Sequence, residues 1–169
     1  MVRILAIDPG TVKSAWVIVE FGESGEVCMR AKGIDDNEQV LRLVKDPVRQ
    51  AGAEAAMLDK LVIEGIQSMG MAVGAEVFET AFWSGRFVEG WAHWNRHWHR
   101  VYRKEVKMHL CGSMRAKDPN IRQALIDRFG APGTKKEPNP VTYKISKDLW
   151  SALAVAVTFA DTKLTGKGD

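Results

Sequence analysis

The chain has 169 residues, of which 46% are hydrophobic and 27% charged, the composition of one ordinary globular domain rather than a disordered or fibrous segment. Its two cysteines, Cys28 and Cys111, lie far apart in a chain long enough to bury a core without staples, which excludes a secreted disulfide scaffold. The N-terminal apolar run is too short for a signal sequence, no window approaches the roughly 18 apolar residues of a membrane span, and a formal net charge of +3 is only mildly basic, so a cytoplasmic protein with no membrane partner is expected.

Residues 3–8 (RILAID) form a short apolar run ended by Pro9-Gly10, and residues 14–21 (SAWVIVEF) a second run ended by a Gly- and Ser-containing turn; with residues 26–34 they predict three antiparallel strands. Residues 37–58 carry Val40, Leu41, Val44, Val48, Ala55 and Leu58 at helical spacing, interrupted by Asp46-Pro47, which predicts two short helices or one kinked helix. Residues 61–65 (LVIEG) read as a buried strand. A long helix is predicted over about 75–98, with apolar residues on two opposite arcs. Phe78, Ala81, Phe82, Gly85, Val88 and Ala92 make one arc, and Trp83, Phe87, Trp91, Trp94 and Trp98 the other. One sheet covers only one side of a helix, so the other needs a neighbouring helix or a second subunit. We assign the tryptophan arc to a homodimer interface; the alternative is packing under a helix of the same domain.

A strand is predicted over 101–106, a helix over 119–129 ended by Gly130, a loop over 130–146, and a last helix from Ser146 as N-cap to about 163. Strands in a meander followed by strands alternating with helices predict a single α/β domain over 1–169, a five-stranded mixed sheet flanked by helices. From Arg96 to Lys117 there are seven basic residues (Arg96, Arg100, Arg103, Lys104, Lys107, Arg115, Lys117) against one acid, Glu105. Lys135-Lys136 make a second cluster. Such a run is either a solvated face or a track for a polyanion.

Three carboxylates stand where a core-facing acid is costly unless paired or metal-bound. Asp8 ends the first strand, Glu64 interrupts the most apolar strand, and Asp148 falls on the first turn of the last helix, on the face of Ala152, Val155, Ala156 and Phe159. All three are expected to point inward. Acids gathered at one sheet edge repel, so either one takes up a proton or a divalent cation neutralises the set. Oxygen ligands alone favour Mg²⁺ or Mn²⁺, and two such ions about 4 Å apart support phosphodiester cleavage.

With IDPGT at 7–11, VIEG at 62–65 and DLWSALAVAV at 148–157, the chain resembles the RuvC-type Holliday junction resolvases of the RNase H-like (retroviral integrase) superfamily. The SAWV after the first motif and Trp150 beside the last acid are more similar to the compact bacteriophage-type members, whose setting would be the host cytoplasm. The resemblance implies an RNase H-like nuclease acting on four-way (Holliday) or other branched DNA, with two Mg²⁺ per site (Mn²⁺ as substitute). Asp8 would be shared by both ions, and Glu64 and Asp148 would each complete one shell. It also implies DNA contacts from Lys107 and Lys117, joined by Arg103, Lys104, Arg115, Lys135 and Lys136 in the basic stretches.

The sequence departs from that pattern in two places. Ser151 occupies the position of a fourth acid one helical turn after Asp148, so either three acids suffice with waters or the second ion needs a DNA phosphate. Met69 is the nearest apolar candidate for a base-wedging residue. Two other readings compete. A catalytically silent branched-DNA-binding relative is made possible by Ser151, and an actin-like nucleotide-binding protein is suggested by Asp8-Pro9-Gly10-Thr11 but opposed by the missing second glycine loop. His93 and His97 are spaced for zinc, but no Glu follows His93 and Cys111 lies in another element.

Overall fold

The structure, a computed structural model, describes residues 1–67, 72–93 and 97–164. Three antiparallel strands open it: β1 (Val2–Asp8), β2 (Lys13–Phe21) and β3 (Val27–Asp36). Helices α1 (Asn37–Lys45) and α2 (Pro47–Ala51) follow, separated where Asp46 accepts from the Arg49 backbone N–H and Pro47 begins the second helix. Next come β4 (Lys60–Gly65), α3 (Ala75–Ala92), β5 (Trp98–Tyr102), α4 (Arg103–Cys111), α5 (Asp118–Phe129) and α6 (Leu149–Phe159), the last extended by a π-helical turn, Ala160–Leu164. The strands form one sheet in the order β3-β2-β1-β4-β5. β1, β2 and β3 pair antiparallel, while β4 runs parallel to β1 and β5 parallel to β4. The mixed five-stranded sheet expected from the sequence is therefore present.

Strand alternation divides the core between the two faces of this sheet. Ile4, Ala6, Val17, Val19 and Val62 pack with α6 and with Val106, Ile121 and Leu125 of α4 and α5. Leu5, Ile7, Ile18, Leu61 and Ile63 pack on the other face with Val40, Leu41 and Val44 of α1 and with Phe87 and Trp91 of α3. Helix α6 is buried along nearly its whole length, with Ser151 as the partly exposed exception. Its burial follows from being sandwiched between the sheet and α4/α5, more cover than the single inward face read from the sequence.

Four expectations are corrected. The strand expected over 101–106 ends at Tyr102, because Glu105 accepts the Tyr102 backbone N–H at 2.7 Å and caps a helix there; the one acid of the basic stretch starts α4. The last helix begins at Leu149 with Asp148, not Ser146, at its N-cap, since Lys147 in the preceding turn holds a left-handed φ of 46°. The long helix ends at Ala92 with His93 as its C-cap, so Trp98 belongs to β5 and His97 lies outside the helix.

The fourth concerns the aromatic face of α3. Phe87 and Trp91 are fully buried against the sheet and Trp83 packs beside them, so this arc is core rather than a dimer interface; Trp94, like Met69, lies outside the described residues. The opposite arc is the exposed one: Phe78 is 68% and Phe82 58% accessible. Beside it a groove of about 900 Å³ runs between α1 and α3, past Leu41, Lys45, Ala81, Phe82, Gly85 and Glu89. Among the described residues, no helix is long and apolar enough to cross a membrane.

Candidate active site at the carboxyl end of the sheet

Register brings the first two acids together. Along β1, Ile4 and Ala6 face α6, so the two-residue period turns Asp8 toward α6 as well. β4 lies in parallel register with β1, Ile7 opposite Ile63, and Glu64 shares the parity of Val62. Asp8 and Glu64 thus end adjacent parallel strands on one face, and their side chains are hydrogen-bonded to each other. Beyond Asp8 the chain is held by a buried polar network. Ser14 Oγ accepts from the Gly10 N–H at 3.2 Å and donates to Asn37 Oδ1 at 2.6 Å, while Asn37 Nδ2 donates to the Gly10 carbonyl at 3.0 Å. A side chain on Gly10 would lie 2.2 Å from the Lys13 carbonyl oxygen, so this tight turn requires glycine.

Burial, then the neighbouring charges of Glu64 and Asp148, push the Asp8 carboxyl up from its usual 3.8 to about 8, against the opposing pull of Arg103. Burial also raises Glu64, while Arg103 and the hydrogen bond from Asp8 hold it down. Burial and the neighbouring carboxylates thus favour the protonated form of Asp8. Asp148 is different. It sits exposed at the N-terminus of α6, its carboxylate making no capping bond, so the expectation that all three acids point inward holds for two of them. Among the described residues, no three carboxylate, imidazole or thiol groups close around one point; Asp148 stands at the mouth of the Asp8–Glu64 pair.

The donor set fits a hard divalent cation at that pair, because two carboxylates with oxygen donors lie side by side and a cation would offset their mutual repulsion. Position 151 does not add to it. Ser151 Oγ accepts from Arg103 Nη1 at 3.3 Å.

Arg103, expected as a DNA contact, is turned into the site. It reaches Glu64 Oε1 at 3.6 Å and pairs with Asp118 at the start of α5. Lys107, one turn further along α4, is close enough for its charge to act on Glu64. Lys104 lies over the Tyr102 ring, and Arg115 and Lys117 are exposed between α4 and α5. Lys135 and Lys136 are exposed in the Gly133–Pro138 turn, which packs near the far end of α5, where Asn139 Nδ2 donates to the Phe129 carbonyl. A helix of 12 residues is about 18 Å long, which separates that pair from Asp118 and the acids. Asp161, in the turn that extends α6, is engaged by Arg128 and His109.

Sequence reasoning missed several neighbours of the acids. A cavity of about 610 Å³ opens beside them, lined among others by Asp118, Arg122, Lys147, Asp148 and Ser151. Arg122 lies over the Trp150 ring at 5.4 Å, and Lys147 is held in the left-handed region, a strained conformation for a side-chain-bearing residue next to Asp148. The one signal in the sequence was the direct adjacency of Lys147 to Asp148. Nothing in it singled out Asn37 or Asp118.

No family model matches the chain, and no curated protein gives a significant match. Solved structures do match, over nearly its full length. The RuvC structure of Thermus thermophilus is 15% identical, with a TM-score of 0.67, covering 94% of this chain and 93% of that one. T. thermophilus RuvC in complex with Holliday junction substrate is 13% identical, with a TM-score of 0.70 and coverages of 95% and 93%. The yeast mitochondrial Holliday junction resolvase Ydc2 is 10% identical, with a TM-score of 0.61 and coverages of 94% and 77%. The chain has the RuvC-like RNase H fold of these structural neighbours.

Proposed function

We propose that the protein is a Mg²⁺-dependent endonuclease that cuts branched DNA, four-way junctions foremost, by hydrolysing a phosphodiester. The observation that carries this reading is the buried, hydrogen-bonded Asp8–Glu64 pair on adjacent parallel strands, beside the start of α6 and a cavity rimmed by Arg122 and Lys147. Asp8 and Glu64, with Asp148 at the mouth, would hold the ion, and Mn²⁺ would substitute. When bound, the ion would activate water and neutralise charge on the scissile phosphate. In the net reaction the hydroxyl of water ends on phosphorus, the P–O ester bond breaks, and the proton ends on the leaving oxygen.

Lys107, Lys104, Lys117 and Arg115 continue the basic surface away from the acids and would bind the flanking phosphates. One fold neighbour is a Holliday junction resolvase by name, and another holds its junction substrate; these support branched DNA as the substrate class. We further propose a homodimer, formed through the exposed Phe78/Phe82 side of α3 rather than through its buried tryptophan arc.

Ser151 at the fourth-acid position favours a second reading, a relative that binds branched DNA without cutting it. A panel of four-way, flap, fork and linear DNAs incubated with Mg²⁺ separates the two. The nuclease reading predicts cleavage of the four-way junction above the linear duplex, lost in Asp8→Asn. Tight junction binding with no cleavage by the unmodified chain would instead establish the silent relative.

A further inference from the structure

We propose that this site takes a single divalent cation and that the guanidinium of Arg103 holds the position a second cation would need. The proposal rests on the nuclease reading above and specifies its metal content. Its basis is geometric. Glu64 pairs with Val101 across β4 and β5, and Arg103, two residues on, has the same parity and enters the site at the first residue of α4. There it joins three elements: Glu64 at the end of β4, Asp118 at the start of α5 and Ser151 on the first turn of α6.

The residue types agree with this arrangement. A carboxylate at position 151 would add a charge for a second ion to neutralise; a serine adds none and offers a hydroxyl that accepts a hydrogen bond from the guanidinium. Arginine does not lose its proton, so its charge persists in the partly buried setting, where it is 28% exposed beside a Glu64 that is 13% exposed. A second divalent ion would have to displace the guanidinium from Glu64 and Asp118.

The test counts ions directly. Mn²⁺ binding to the purified full-length chain is measured by equilibrium dialysis at pH 8, with free ion read by electron paramagnetic resonance. The expected result is one Mn²⁺ per chain, and two per chain in the double variant Arg103→Gln/Ser151→Asp. Two Mn²⁺ per unmodified chain would overturn the proposal while leaving the nuclease reading intact; none would overturn that reading and this proposal together. Should the double variant fail to fold, the order of cleavage on bound junction decides, because DNA could complete the shell of a second ion that the free chain does not hold. An independent readout is the order of junction cleavage in Mg²⁺ at subsaturating concentrations. First order is expected, and second order would contradict the single ion.

Discussion

Asp8 combines two demands that a folded chain rarely places on one residue, ending a core strand and carrying a carboxyl beside another acid. Its folded pKa of about 8 lies above the ordinary 3.8, so between those values the cation-free folded chain holds a proton that the unfolded chain has given up. The stability from that proton is complete below about pH 4 and is lost as pH rises through about 8. Thermal unfolding of the cation-free protein should therefore fall in midpoint from pH 5 to pH 8. Asp8→Asn, which mimics the protonated form, should flatten that profile and exceed the unmodified chain by several degrees at pH 8; parallel profiles for the two would show that Asp8 is ionised in the free protein. Support for Asp8 is equally specific. Ser14 and Asn37 are 1% and 2% exposed, and Ser14→Ala would leave the Asn37 amide and the Gly10 N–H short of a partner, at a cost of about 1–3 kcal/mol in denaturant unfolding.

At the scale of elements, α3 shows where sequence patterns stop. Two apolar arcs were legible, but their relative depth was not, because periodicity reports the direction of a side chain around the helix and not what lies opposite it. The larger aromatics went inward, filling the space between α1 and the sheet, and Phe78 and Phe82 were left outside. Phe87→Ala should cost about 3–5 kcal/mol in chemical denaturation, whereas Phe82→Ala, measured at a dilution that keeps the chain monomeric, should stay within about 0.5 kcal/mol; equal costs would mean the inner face has been misassigned. The strands bearing Asp8 and Glu64 were readable because buried strands are short apolar runs in which a carboxylate stands out. The start of α4 was not, since Arg103 to Val106 carries no apolar period and its cap, Glu105, looks in sequence like one acid among many bases. Arg103 itself reads in sequence as one more DNA contact in the basic stretch, and only the parallel pairing of β4 with β5 turns it toward Glu64.

Across the whole molecule, the acids and the basic surface of α4 and the α4–α5 connection share one face of the sheet, while the exposed aromatic side of α3 lies on the other. A dimer built on α3 would thus leave both sites open to DNA. Sedimentation at micromolar concentration should report twice the chain mass and Phe82→Glu the mass of one chain; a monomeric unmodified protein would remove the dimer. Lys107→Ala and Lys117→Ala should each lower the slope of log affinity against log salt by about one, and an unchanged slope would take those lysines off the DNA path. The claim beneath all of this is that Asp8 and Glu64 together hold the ion that makes the site hydrolytic. It is tested most directly by incubating a labelled four-way junction with the unmodified chain and with Glu64→Gln, each with Mg²⁺ and with a chelator. Cleavage by the unmodified chain in Mg²⁺ alone is predicted, with at least a roughly hundredfold loss in Glu64→Gln and junction binding retained. Cleavage that survives in Glu64→Gln or under chelation would contradict the assignment.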